Sequence, residues 1–185
     1  MLEHTRAIFQ RGEVVPEAIA SRRARADVVL SRGAQPGEEQ LLHRLAGALA
    51  RELVSVLRSK RHYYIAAHAR TGAVAVTFLS HADDELAHAD AIANRIAERG
   101  GAIRLDAEEL SRRSRCSHDR FVAHPDISTM LREDLFAERV AIDGFSAAIE
   151  CAGDDVETRD LLARLLAEAE AHTRELTHWL RVFRT

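Results

Sequence analysis

Residues 78–96 read FLSHADDELAHADAIANRI. Phe78, Ala82, Glu85, Ala89, Ile92 and Ile96 recur three and four apart, the period of an amphipathic helix. The inward stripe is not purely apolar. His81, Glu85 and His88 interrupt it, and Glu85 and His88, three apart, project from one side of the helix. A carboxylate and an imidazole turned into a core are costly unless something compensates them. Two readings stay open on this stretch alone: ligands of a metal ion, or an ion pair on a wide polar stripe.

On its N-terminal side a first long helix is expected from Glu38 to about Arg70, with Leu41, Leu42, Leu45, Leu49, Leu53, Val56 and Leu57 as its inward stripe. Glu52 sits within that stripe, where an acid needs a partner. His62 and His68 lie on the same helix and read as packing or surface residues, because neither has a ligand-type neighbour at its own level. Arg70-Thr71-Gly72 ends the helix. The opening stretch then belongs to a second helix, from about Val74 to Glu98, stopped by Gly100-Gly101.

Residues 102–125 form a polar crossover with one short helix at DAEELSRRS, 106–114. Cys116, His118 and His124 fall here, and without further ligands nearby they read as structural. A third long helix starts after His124-Pro125, with Asp126 or Ser128 as N-cap. It turns Leu131, Leu135, Ile142 and Phe145 inward and carries Glu138 on that stripe. After a turn at Cys151–Asp155, a fourth helix runs from about Val156 to Arg184. Leu161, Leu165, Leu176 and Trp179 face inward, and Glu168, His172 and Glu175 share their side. Four long helices with two short turns and one long connection make an all-α four-helix bundle, with its crossover between the second and third helices. The bundle is expected to span 38–185.

Residues 1–37 read as an arm. A short helix fits after Pro16 in VVPEAIASRRARADVVL, and RGAQPG at 32–37 breaks it. Arg22, Arg23 and Arg25 form a basic cluster. DNA contact is one reading; a solvated face or an assembly contact is the favoured one, since the net charge of −3 gives no general pull toward nucleic acid. The chain of 185 residues suits one domain, and its 46% hydrophobic and 30% charged content is that of a water-facing globular protein. Its 2 cysteines, Cys116 and Cys151, form no CxxC or disulfide framework. With no signal peptide or apolar run of membrane length, the expectation is a reduced cytoplasmic protein with no membrane partner.

Whether the inward acids and histidines meet can be tested by level. In an antiparallel helical hairpin, residues equally far from the turn share a height. Glu52 and His88 have their midpoint at 70, on the first turn. Glu138 and His172 have theirs at 155, on the second. Each half thus brings a Glu level with a His. Glu175-Leu-Thr-His178 fits less well, because pairing His178 with Glu138 shifts the midpoint by three residues, roughly 9 Å of height. His172 is therefore the preferred ligand, and His178 a helix-end or interface residue.

Bundles that hold two iron or manganese ions use one Glu from each of two helices and Glu-x-x-His from each of the other two. This chain offers Glu52, Glu85-x-x-His88, Glu138 and His172 in that order. The place three before His172 is Ala169. Glu168 still points to the ligand side and Glu170 points away, so the sixth ligand is missing or displaced to Glu168. His81 and Asp134, one turn before Glu85 and Glu138, read as partners behind the ligands or as inner-surface groups.

The segments DELAHADAIANRI (84–96), MLREDLFAERVAID (130–143) and TRDLLARLLAEAEAH (158–172) resemble the ferritin-like superfamily, closest to bacterioferritin-like and Dps-like di-iron proteins. The resemblance covers about 38–180. It implies homo-oligomeric cages whose subunits oxidise Fe(II) with dioxygen or peroxide and store or detoxify the ferric product. Carried over by position, Glu52, Glu85 and His88 match one half-site, and Glu138 and His172 the other. Leu86 stands where bacterioferritins carry a haem-binding Met, so no haem is expected. Ala169 replaces a bridging carboxylate, and two cations ~3.5–4 Å apart rely on such a clamp. The centre is then di-iron or mono-iron, with Mn an alternative metal, and ferroxidase activity is weakened. The competing reading is a degenerate bundle with one metal or none, acting as a structural or interaction protein.

Overall fold

The computed structural model describes residues 36–69, 71–114 and 125–183, and among them every regular element is helical. The elements are α1 (Pro36–His68), α2 (Gly72–Glu98), α3 (Ala107–Ser114), α4 (Ile127–Cys151) and α5 (Val156–Val182). The four long helices and the short crossover helix agree with the all-α expectation. The helix after Pro16, the Arg22–Arg25 cluster, Cys116, His118 and His124 lie outside the described residues. No described helix is long and apolar enough to cross a membrane.

Local chemistry sets the ends. Asp126, not Ser128, caps α4, its carboxylate accepting from the Thr129 amide at 2.6 Å. Asp155 caps α5 through the Thr158 amide at 3.1 Å. Thr71 joins α1 to α2: its amide and hydroxyl both donate to the Ala66 carbonyl, and its own carbonyl accepts from the Ala75 amide at 3.0 Å. Gly153 takes φ +55 in the α4–α5 turn, where a side chain would be strained.

α1 packs along α2, and α4 along α5, as two hairpins; α1 meets α4 and α2 meets α5 across the seam. The core has two apolar parts. One gathers Leu41, Leu45, Ile92, Ile96, Phe145 and Leu162, from the start of α1, the end of α2, the end of α4 and the start of α5. The other gathers Ala66, Val74, Phe78, Met130, Leu131 and Leu176, from the opposite ends. α2 therefore finishes at one end of the bundle and α4 begins at the other. The crossover must travel the bundle's length, roughly 37 Å for the 25 residues of α4. α3 lies within it and docks on α1.

Between the two apolar parts every long helix carries buried polar residues: Glu52, Ser55, Ser59 and His62 on α1, His81, Glu85 and His88 on α2, Asp134 and Glu138 on α4, and His172 on α5. This belt corrects one expectation. Val56 and Leu57 were read as inward, but Leu57 is 69% exposed and Val56 only half-buried. The buried positions of α1 run 49, 52, 55, 59, 62, 66, a true helical period. Polar residues occupy the middle of it, so the apolar neighbours only imitate the stripe.

Three helix ends, those of α1, α2 and α5, are tied by charge at one end of the bundle. Arg95 of α2 donates to Asp155 at 2.7 Å, to Glu157 at 2.8 Å and to the Thr158 hydroxyl at 2.6 Å. Arg99 joins the same Asp155 to Glu38 of α1.

Candidate metal centre

The belt's two central contacts lie within hairpins. His88 Nδ1 is 3.1 Å from Glu52 Oε2, and His172 Nδ1 is 3.0 Å from Glu138 Oε1. These are the pairs that shared midpoints put at one height. The second nitrogen of each ring reaches the other hairpin: His88 Nε2 lies 2.6 Å from Glu168 of α5, and His172 Nε2 lies 3.3 Å from Asp84 of α2. The rings of His88 and His172 are near parallel, 6.3 Å apart. Glu168 thus joins the cluster through His88 rather than through its own helix's His172. Glu170 points away, near Arg174.

Glu85 stands in the middle with little support. The Ser59 hydroxyl donates to its Oε1 at 3.4 Å, and its Oε2 is buried with no partner. Burial, then the nearby Glu138, Asp134 and Glu52, push its pKa well above the usual carboxylate range. Glu138 is raised as well, by burial first and in spite of His172. For His88 and His172 burial works against the charged form, but Glu52 with Glu168, and Glu138 with Asp84, outweigh it and raise both. His81 goes the other way: burial and the neighbouring His172 lower it, against Glu175.

Three further residues enter the belt by routes the levelling rule does not reach. His81 stacks on His172, ring centroids 3.9 Å apart and planes at 19°, and its Nε2 lies 3.1 Å from Glu175 Oε2. Asp134 Oδ2 lies 3.0 Å from Nδ1 of His62, while Glu133 meets Nε2 of the same ring at 3.0 Å. Asp134 Oδ1, like Glu85 Oε2, is buried and unpartnered. His62 therefore corrects its reading as a residue without ligand-type company. Its partners sit on α4, and hairpin midpoints compare only helices joined by a turn. The periodic signal was present in sequence, since His62 follows Ser55 and Ser59 on the buried face. His68 is exposed, bonded to the Tyr64 carbonyl at 2.7 Å, and His178 is exposed on Trp179. Ala169 is fully buried among apolar residues.

The donor set can be tested for a cation. The belt buries four carboxylates, of Glu52, Glu85, Asp134 and Glu138, and among the described residues no Lys or Arg is buried with them. Two of their oxygens have no hydrogen-bond donor. A buried carboxylate oxygen left unmet costs roughly 1–3 kcal/mol or more. Carboxylates with neutral imidazoles form the oxygen and nitrogen set suited to divalent iron or manganese. The residues fit such an ion.

Comparison with known proteins follows the same line. Residues 42–185 match the family described as ferritin-like domain. No curated protein sequence matches the chain. Among solved structures, it is similar to the bacterioferritin-related protein from Bacteroides fragilis, described as a dodecameric thioferritin in the bacterial domain. Identity is 29%, with a TM-score of 0.72 over 78% of this chain and 86% of that one.

Proposed function

Because the chain belongs to the family of ferritin-like domains, we propose that it takes up Fe(II) inside its own bundle, oxidises it and helps to store or detoxify the product. The observation that carries this reading is the unpartnered Glu85 Oε2 in a belt of four buried carboxylates. Such a group is kept at a cost to folding where a cation repays it. Glu52, Glu85, His88 and Glu168 hold one iron, and Glu138 and His172 help to hold a second. Two Fe(II) each give one electron to dioxygen, which leaves with two protons as hydrogen peroxide; with peroxide as oxidant, two electrons and two protons yield water. The protein's share is to bind the two ions side by side, and the bound cations favour the ionised form of its buried carboxylates. Metal ions compete with protons for these donors, since the pKa values of His88, His172, Glu85 and Glu138 are all raised in the metal-free protein.

Assembly of several copies completes the proposal. Support comes from the dodecameric relative and from large apolar residues left outside the bundle: Leu57 at 69%, Val76 at 65%, Phe136 at 61% and Tyr64 at 60% exposure. The test is to add Fe(II) to metal-free protein in air. Oxidation faster than in buffer, with a soluble ferric product, supports the reading, and a rate equal to buffer ends it.

A second reading has its own observation. Ala169 puts a buried methyl where a bridging acid would stand. A bundle that keeps the fold and binds one metal or none would serve as a structural partner. Metal analysis after anaerobic loading separates the two: two irons per chain favour the oxidising centre, and none favours the structural reading.

A further inference from the structure

Position 169 leaves α5 one donor short, and a cluster of three donors gathers around His172. His81, Glu138 and His172 each offer a donor atom, and the three atoms lie within 4.8 Å of one another. All three residues are buried, at 2%, 6% and 7% exposure. We propose that the second metal position of this chain is a two-histidine, one-carboxylate site made by His81, Glu138 and His172, with His81 of α2 serving where α5 supplies no acid. This rests on reading the belt as a metal centre.

The geometry suits a shared ion. His172 Nδ1 and Glu138 Oε1 are 3.0 Å apart, the spacing of adjacent ligands that each reach a cation at about 2.1 Å. The parallel stack at 3.9 Å keeps the ring of His81 alongside that of His172.

His81 is also held from behind. Trp179 Nε1 donates to the Thr77 hydroxyl at 3.0 Å, and that hydroxyl donates to Glu175 Oε1 at 2.9 Å. Glu175 Oε2 then engages His81 Nε2 at 3.1 Å. A carboxylate on one ring nitrogen fixes the tautomer and leaves the other nitrogen, here Nδ1, with its lone pair for a cation. Glu175 is thereby a positioning residue, reached through His81 and not through His178.

The two positions become chemically unequal. The one at Glu52, Glu85, His88 and Glu168 is rich in carboxylate. The one at His81 is rich in nitrogen, and nitrogen ligands favour cobalt and zinc over manganese. Co(II) is therefore the probe. Metal-free full-length protein is titrated anaerobically with Co(II), and imidazole N–H protons shifted by bound Co(II) are counted by NMR. The wild type should bind two Co(II) per chain and show three shifted imidazole N–H signals, from His81, His88 and His172. His81→Leu should weaken one of the two ions by about 10-fold or more and lose one signal, while the other ion binds as before. Glu175→Gln should weaken the same ion by less and keep three signals. Two tight ions in His81→Leu, or only two shifted signals in the wild type, would overturn the assignment of His81. No Co(II) or Fe(II) binding by the wild type would instead overturn the metal centre itself. If His81→Leu does not fold, the wild-type signal count and Glu175→Gln still decide.

Discussion

Glu168 of α5 lies 2.6 Å from Nε2 of His88 on α2, across the seam between the two hairpins. Its mirror relation is Asp84 of α2 with His172 of α5, at 3.3 Å. Each acid stands four residues before the histidine of its own helix and serves the histidine of the other. The seam is thus stitched twice at the height of the centre. Glu168→Ala is expected to weaken the ion beside His88 by about 10-fold, with little change in folding stability because Glu168 is half-exposed. Glu170→Ala should leave binding unchanged, since Glu170 is exposed and points away. Anaerobic calorimetry with Co(II) on both variants checks this, and equal losses would contradict it.

Ala169→Glu restores the family's carboxylate but inserts it into a packed apolar site. Metal-free protein should lose roughly 1–3 kcal/mol from overpacking, seen as a lower Tm. Saturating Fe(II) under anaerobic conditions should return the Tm to the wild-type value or above and raise iron occupancy. Unchanged occupancy would mean that Glu168 and His81 already supply what position 169 lacks.

Glu85 is a cost to the metal-free fold and a gain to the loaded one. Glu85→Gln removes the charge that its surroundings repel, so the metal-free Tm should stay level or rise. The stabilisation by added Co(II) should disappear. His178→Ala, at an exposed position, should alter neither. Thermal scans with and without Co(II) separate these, and a lower metal-free Tm for Glu85→Gln would argue against a strained carboxylate.

Asp155 carries the acid limb of stability. Burial would raise its pKa, but the Thr158 hydroxyl and amide, with Arg99 and Arg95, outweigh burial and hold it below the ordinary 3.8. The ionised form is favoured in the fold, so its contribution is present above pH 3.8 and is lost as pH falls through the lower folded value. Asp155→Asn keeps a cap acceptor and removes the charge. It should cost roughly 1.5–3 kcal/mol at neutral pH. The gap to wild type should narrow as pH falls below 3.8. A gap independent of pH would show that the charge contributes nothing.

Leu57 and Phe136 are 69% and 61% exposed. If copies of the chain pack through them, Leu57→Glu combined with Phe136→Glu should lower the particle mass in light scattering while helix content stays constant. An unchanged mass would place the contact on another face.

Much of this protein was legible in its residues. The apolar period defined four long helices because burial of one face demands it. Glu52 fell level with His88, and Glu138 with His172, because a helix is a ruler of about 1.5 Å per residue. A tight turn sets that ruler's zero for both helices it joins. The start of α4 at Asp126 or Ser128 and the outward turn of Glu170 followed from equally local rules, though only the fold chose Asp126 as the cap.

What tertiary structure alone decided lies across the seam. His62 with Asp134, His88 with Glu168, His172 with Asp84, and His81 against His172 all join different hairpins. No turn sets a common zero between them. The hairpins are linked by residues 99–126, a connection too long to transmit height or rotation, so their relative slide comes from how two apolar cores close around one polar belt. Local spacing therefore named the candidate ligands of each half, and only the packed fold could show that His81 stands beside Glu138 and His172.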